Sequence, residues 1–129
     1  MKFQLDDTGG GNLITRAQFS PEKAEIWVNQ EAFHASVLVP WTGQPQHWPV
    51  RRFEELDITH FAQILALKPE LVIFGSGTRL RFVHPSLLQA LIEQGIGVET
   101  MDLSAACRTY TVLASERRSV VAALLIEPF

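Results

Sequence analysis

The chain has 129 residues, 47% of them apolar and 19% charged, which is enough for one hydrophobic core and too little for two. Eleven Lys and Arg against 14 Asp and Glu leave a net charge of -3. That argues against nucleic acid or an anionic membrane surface as the partner, because both need a basic surplus. The single cysteine, Cys107, excludes an internal disulfide framework and a multi-cysteine zinc site, and it fits a reducing, cytoplasmic compartment.

The opening residues, MKFQLDDTGGG, bring two aspartates and three glycines before any apolar run, so they are not expected to act as a secretory signal. Lys2–Leu5 reads as a short strand and Asp6–Gly11 as a glycine-rich turn. Asn12–Phe19 leads into a turn at Ser20-Pro21-Glu22. Glu25–Asn29 alternates, with Ile26 and Val28 set against Trp27 and Asn29. After a turn around Asn29-Gln30, Phe33–Val39 again reads as a strand. Strands so closely spaced predict an antiparallel meander over residues 1–40.

Three prolines and a glycine make residues 40–49 a loop. Its tryptophans, Trp41 and Trp48, either fold back as lids on the core or stand out as anchors for a partner, and the high average burial of Trp favours the first.

From here the period changes from two to 3.6. Asp57 or Thr59 can cap a helix carrying Ile58, Phe61, Ile64 and Leu65, which Lys68-Pro69 stops. Leu71–Phe74 is a short strand apolar on both faces. Pro85 opens a second helix with Leu87, Leu88, Leu91 and Ile92 in a stripe, and Gly95 ends it. Ile96–Met101 forms the next strand. A third helix starts at Asp102 with Leu103, Ala106, Cys107, Tyr110, Leu113 and Ala114 at helical spacing. Glu116–Ser119 turns the chain into a last strand, Val120–Ile126, expected at the centre of the sheet. This seven-residue run is the longest apolar stretch, far short of the ~20 residues a membrane span needs.

The expectation is therefore a single α/β domain over 1–129. It has a mixed central β-sheet, an N-terminal antiparallel meander (1–40), a βαβ crossover and about three helices, with the α/β core over 55–127. A right-handed crossover would bring the loop after Phe74 and the residues after Met101 to one edge of the sheet.

That edge holds the candidate site. Gly75-Ser76-Gly77 follows a buried strand as phosphate-cradling loops do, but position 80 is Leu80 rather than a third glycine, and no Gly-Lys-Ser/Thr follows. A tight turn needing positive φ is the plainer reading. Arg79 and Arg81, if extended, share one face and suit a carboxylate or phosphate; otherwise they are solvated, or bound to Asp102 or to loop carbonyls. Asp102 reads first as a helix cap and second as a ligand contact beyond a strand end. Arg108, flanked by Thr109, falls off the apolar stripe of its helix and is placed to reach toward the glycine loop. Cys107 lies on the stripe and reads as a buried small hydrophobe. His34, His47, His60 and His84 have no metal-ligand spacing, and neither a Gly-x-Ser-x-Gly elbow nor a pair of carboxylates is placed for acid–base work. No catalytic residue, metal or cofactor is expected.

The C-terminal half resembles a family of small proteins that includes the mitochondrial complex I (NADH dehydrogenase) assembly factor 3 and uncharacterised bacterial and archaeal relatives. The residues that carry this are Leu71–Gly77, Arg81-Phe82, Pro85, Gly95–Asp102, Ala105–Tyr110, Leu113, Glu116, Arg118 and the Val120–Leu125 strand. The resemblance implies a single α/β domain with a mixed sheet, a role exerted through protein contacts, and no established enzymatic activity. Two positions depart from the family pattern: Thr111 stands where asparagine is common, and Leu103 where threonine is common.

Together these readings favour a non-enzymatic, assembly-type protein. Its partner, another protein, would contact the edge formed by Gly75, Ser76, Gly77, Arg79, Arg81, Asp102, Arg108 and Thr109. The alternative is a small-molecule-binding protein or enzyme, with a small anionic ligand held by Arg79, Arg81 and Arg108 beside the glycine turn.

Overall fold

The computed structural model describes residues 11–20 and 23–128; the strand expected over Lys2–Leu5, all but Gly11 of the following turn, and Pro21-Glu22 lie outside the described residues. Three strands, β1 (Ile14–Ser20), β2 (Lys23–Val28) and β3 (Glu31–Phe33), form an antiparallel sheet in that order. Asn29 turns the chain between β2 and β3 at φ 57, a left-handed conformation that Asn tolerates better than most residues. Ile14 and Phe19 are five residues apart, so strict alternation would send them to opposite faces. A bulge between Ile14 and Arg16 shifts the register by one, and both side chains pack on the same core.

The strand expected over Phe33–Val39 is divided between two sheets. β3 ends at Phe33, and β4 (Val37–Pro40) crosses into a second, five-stranded sheet. The reason is burial: every residue of β4 is buried, so it needs cover on both faces, which the half-exposed meander does not provide. Within the loop that follows, Gln46–His47 form a two-residue strand, β5, paired with β4.

Asp57, not Thr59, caps α1 (Ile58–Ala62): its Oδ1 accepts from the Thr59 N–H at 2.9 Å, while His60 Nδ1 accepts from the Asp57 N–H at 3.0 Å. This is a capping box with histidine in the usual glutamate position. The helix tightens into a 3₁₀ turn over Gln63–Leu67 and stops at Lys68 (φ 52) before Pro69. After β6 (Leu71–Gly75), Pro85–Leu88 is a 3₁₀ turn leading into α2 (Gln89–Glu93), and then come β7 (Gly97–Met101), α3 (Leu103–Ser115) and β8 (Val120–Leu124). Because 3₁₀ and α turns alternate, the 3.6-residue stripes do not stay aligned, and two expected core residues, Ile58 and Ile92, are exposed.

The large sheet runs β5-β4-β8-β6-β7, with β8 antiparallel to β4 and parallel to β6, and β6 parallel to β7. It is a mixed sheet with the last strand at its centre. Val120, Ala122, Leu124 and Ile126 pack with α3 and the meander, while Val121, Ala123 and Leu125 pack with Trp48, Phe61 and Phe74 on the other side. Both loop indoles fold back. Trp48 is fully buried with its Nε1–H on the His60 carbonyl (3.0 Å), and half-buried Trp41 donates to the Ala114 carbonyl (3.1 Å).

The meander is tied to this core through Tyr110. Its hydroxyl lies 2.9 Å from the Asn12 carbonyl and 3.1 Å from that of Pro40. The Asn12 amide donates to the carbonyls of Pro40 and Gly43, both at 2.8 Å, and accepts from Asn29 Nδ2 at 3.0 Å. Tyr110→Phe removes one donor from this buried knot. Pro40 keeps its bond from Asn12, so only the Asn12 carbonyl loses its side-chain partner. A destabilisation of about 1–2 kcal/mol is expected in urea unfolding, with an unchanged m-value.

Candidate functional site

Parallel pairing of β6 with β7 sets the turn after β6 directly against the start of α3. The Ser76 N–H donates to the Met101 carbonyl (2.9 Å), and the Leu103 N–H donates to the Gly77 carbonyl (2.7 Å). Gly75, Ser76, Gly77 and Asp102 are thus neighbours.

The two glycines serve different ends. At Gly75 a β-carbon would sit 3.0 Å from Ala106 Cβ and 3.1 Å from Leu124 Cδ2, so its bareness lets α3 lie close on the sheet. Gly77 adopts φ 107, and a side chain there would collide with the Arg81 guanidinium. Ser76 is fully buried; its hydroxyl donates to the Arg79 carbonyl (2.9 Å) and accepts from the Arg81 N–H (2.9 Å). The Ser76 N–H, which a phosphate-cradling loop would offer to a ligand, is taken by Met101. This is a stapled turn.

Arg81 is part of the staple. Its Nη2 donates to the Ser76 carbonyl (2.7 Å) and to Glu127 Oε1 (2.6 Å), and its guanidinium lies 4.6 Å over the Phe53 ring. The other oxygen of Glu127 accepts from the Phe53 N–H at 2.9 Å. Burial alone would push the Glu127 carboxyl up, but the Arg81 bond, the Phe53 N–H and the charges of Arg81 and Arg52 outweigh it and hold it below the ordinary carboxylate value. Sequence reading missed Glu127, since nothing local marks a glutamate 46 residues away as the partner of Arg81.

The extended run that would set Arg79 and Arg81 on one face does not form; residues 76–84 are irregular, and Arg81 bonds a loop carbonyl, that of Ser76, as the other reading had it. Arg79 is exposed, while Arg81 turns inward. Asp102 caps α3, its Oδ1 accepting from the Ala105 N–H at 2.8 Å. Arg108 is exposed and bonded to Ser104 Oγ at 2.8 Å; it lines a groove between β1 and α3 whose walls include neither Arg79 nor Arg81. Thr109 is half-buried on the same helix. The crevice beside the glycine turn, lined by Thr78, Leu103 and Glu127 among others, measures about 220 Å³, below the usual 300–1,000 Å³ of small-molecule pockets.

Cys107 is buried, and burial pushes its thiol up to about 12 against the opposing pull of Arg108, so it stays a neutral thiol. Leu103, where the family pattern favours threonine, is a core residue, and Thr111 bonds the Cys107 carbonyl of its own helix at 3.0 Å. Among the described residues no group of three or more His, Cys, Asp or Glu is placed to hold a metal, and no helix is long and apolar enough to cross a membrane.

A polypeptide of this order and geometry has relatives. A mouse protein named NADH dehydrogenase (ubiquinone) 1 alpha subcomplex assembly factor 3 is 35% identical over 98 residues, which cover 74% of this chain and 52% of the mouse protein. This chain therefore spans about half the length of that relative. An uncharacterized protein of Rhodobacter capsulatus is 34% identical over 95 residues, covering 74% of this chain and 67% of its own. A crystal structure of a Bordetella parapertussis protein superposes with a TM-score of 0.82 at 34% identity, over 91% of this chain and 97% of that one. The model of a family described as a protein of unknown function (DUF498/DUF598) matches residues 20–125, and the chain belongs to that family.

Proposed function

We propose that this chain is a protein-binding, assembly-factor-type protein without catalytic activity, and that its partner surface is the rim beyond the C-terminal ends of β6 and β7. One observation carries the reading. Phe82 and Leu80 are 70% and 52% exposed on a segment whose base is pinned by Ser76, Arg81 and Glu127. Apolar side chains held out on a braced loop lose little conformational freedom on docking, and an exposed aromatic on a loop that also exposes Arg79 has the composition of an interface hot spot. Gly75, Ser76, Gly77, Arg81 and Asp102 act as the scaffold of this rim, and Arg79, Leu80 and Phe82 as its contacting part. The fitting partner offers an apolar pocket edged by carboxylates.

The name of the mouse relative supports the same class of role, carried by the portion the two chains share. The lone buried Cys107 supports a reducing, cytoplasmic-type compartment.

Affinity purification with mass spectrometry tests the reading by comparing the native chain with a Leu80→Ala/Phe82→Ala variant. Both side chains are exposed, so stability is expected to change by no more than about 0.5 kcal/mol per substitution. Partners captured by the native chain should be lost from the variant. A partner set that is empty, or unaltered by the double substitution, would overturn it.

A further inference from the structure

The groove between β1 and α3 shares no contact residue with the rim just described. We infer that it takes an extended peptide of a partner protein, which joins the open edge of β1 as a further strand and turns an acidic side chain toward Arg108. The groove measures about 470 Å³. Ile14 and Ala17 line it on the strand, and Ser104, Cys107, Arg108 and Thr111, one face of the helix, line it opposite.

The backbone of β1 carries the inference. β1 is an edge strand, and among the described residues nothing pairs with its outer side. Alternation along the ladder fixes which groups stand open there. The Asn29 N–H donates to the Leu13 carbonyl (2.8 Å), so the Leu13 backbone faces β2 and that of Ile14 faces away. Accordingly the Ile14 carbonyl lies 3.4 Å from Thr111 Oγ1, on the α3 side. The bulge then adds one residue, after which Arg16 and Gln18 bond toward β2. Ala17 and Phe19 thus turn their N–H and C=O groups to the open edge. Strand and helix touch where Ile14 meets Thr111 and leave Ala17 and Ser104 exposed at the other end, which gives an added strand its way in.

Side chains select the occupant. Ala17 pairs across the sheet with Ile26 and shares its inward face. Ile26 is fully buried, whereas Ala17 is exposed, because a methyl group does not reach α3. An apolar side chain opposite Ala17 on the added strand fills that gap. Side chains two positions along the strand point to the same face, where a carboxylate meets Arg108. The Arg108 guanidinium bonds Ser104 Oγ (2.8 Å) and has no ion-pair partner among the described residues. Main-chain bonds to Ala17 and Phe19 supply the affinity, and the gap and Arg108 supply the preference.

An NMR titration of the isotope-labelled full chain with the capped peptide Glu-Thr-Val-Thr-Glu tests this, with Lys-Thr-Val-Thr-Lys compared at the same ionic strength. Saturable shifts should centre on residues 14–19 and 104–111, and the Ala17 and Phe19 amides should exchange more slowly in the complex. The acidic peptide should bind several-fold more tightly than the lysine peptide, and Arg108→Glu, an exposed substitution, should reverse that order. Ala17→Pro removes an outward N–H at an edge position where proline is tolerated, so it should fold and lose binding. Ala17→Leu fills the gap from within and should bind at least tenfold more weakly, which decides the matter if the proline variant does not fold. Leu80→Ala/Phe82→Ala should bind the peptide as the native chain does, so failure at the rim and failure at the groove are told apart. No shift at millimolar peptide, shifts centred elsewhere, equal binding of the two peptides, or undiminished binding by Ala17→Leu would overturn the inference.

Discussion

Trp48→Ala should destabilise the fold by about 3–5 kcal/mol, the range observed when a buried aromatic is truncated. Trp48 is fully buried, with edge-to-face contacts to Phe61 at 5.7 Å and Phe74 at 6.1 Å between ring centroids, and those two rings contact each other at 5.4 Å. The indole therefore joins α1 to the face of β6 that the meander does not cover. Truncation leaves a cavity among large side chains and orphans the His60 carbonyl, which accepts its Nε1–H at 3.0 Å. Trp48→Phe retains most of the volume and should cost roughly 1–2 kcal/mol, largely the unpaired carbonyl and a smaller void. Equilibrium unfolding in urea distinguishes the cases. A Trp48→Ala midpoint close to that of the native protein would mean that the indole does not hold these elements together.

How much of this was legible in the sequence depended on how far each feature reaches along the chain. The central place of β8 was readable because Val120–Ile126 is apolar on both faces, and only a strand covered twice tolerates that. The meeting of the glycine turn with α3 was readable because strand, helix and strand in succession leave few parallel arrangements. The division of Phe33–Val39 between two sheets was not, since a strand's propensity does not say which sheet will hold it. The arginines show the same limit. Arg79 and Arg81 are two residues apart, but only Arg81 turns inward, onto Glu127, a contact made only in three dimensions, while Arg79 stays exposed and Arg108 bonds Ser104 one turn back on its own helix.

Removing Arg81 should have the second large effect. Arg81→Ala leaves the Glu127 carboxylate partly buried without its cation and frees the Ser76 carbonyl, at an expected cost of about 2–4 kcal/mol. That is less than for a fully buried pair, because the two side chains retain 16% and 25% exposure. Glu127→Gln keeps the Phe53 contact and should cost less. The same pair makes stability depend on acid. The Glu127 carboxyl is held below its ordinary value in the folded chain, so its contribution is complete above the unfolded-state pKa of about 4.3 and is lost as the pH falls through the lower folded value. The native protein should therefore lose stability below about pH 4.3 more steeply than Glu127→Gln, whose curve lacks this component. Parallel urea titrations between pH 3 and pH 7 would show it as a gap that closes toward acid. Curves that stay parallel would mean that the ion pair contributes nothing net. The loop consequence follows from the geometry: with Arg81 gone, the segment bearing Leu80 and Phe82 loses the brace that ties it to residues 53 and 127. Amide exchange in residues 77–84 should then accelerate in Arg81→Ala, while α3, capped by Asp102 and packed through Leu103 and Tyr110, keeps its protection.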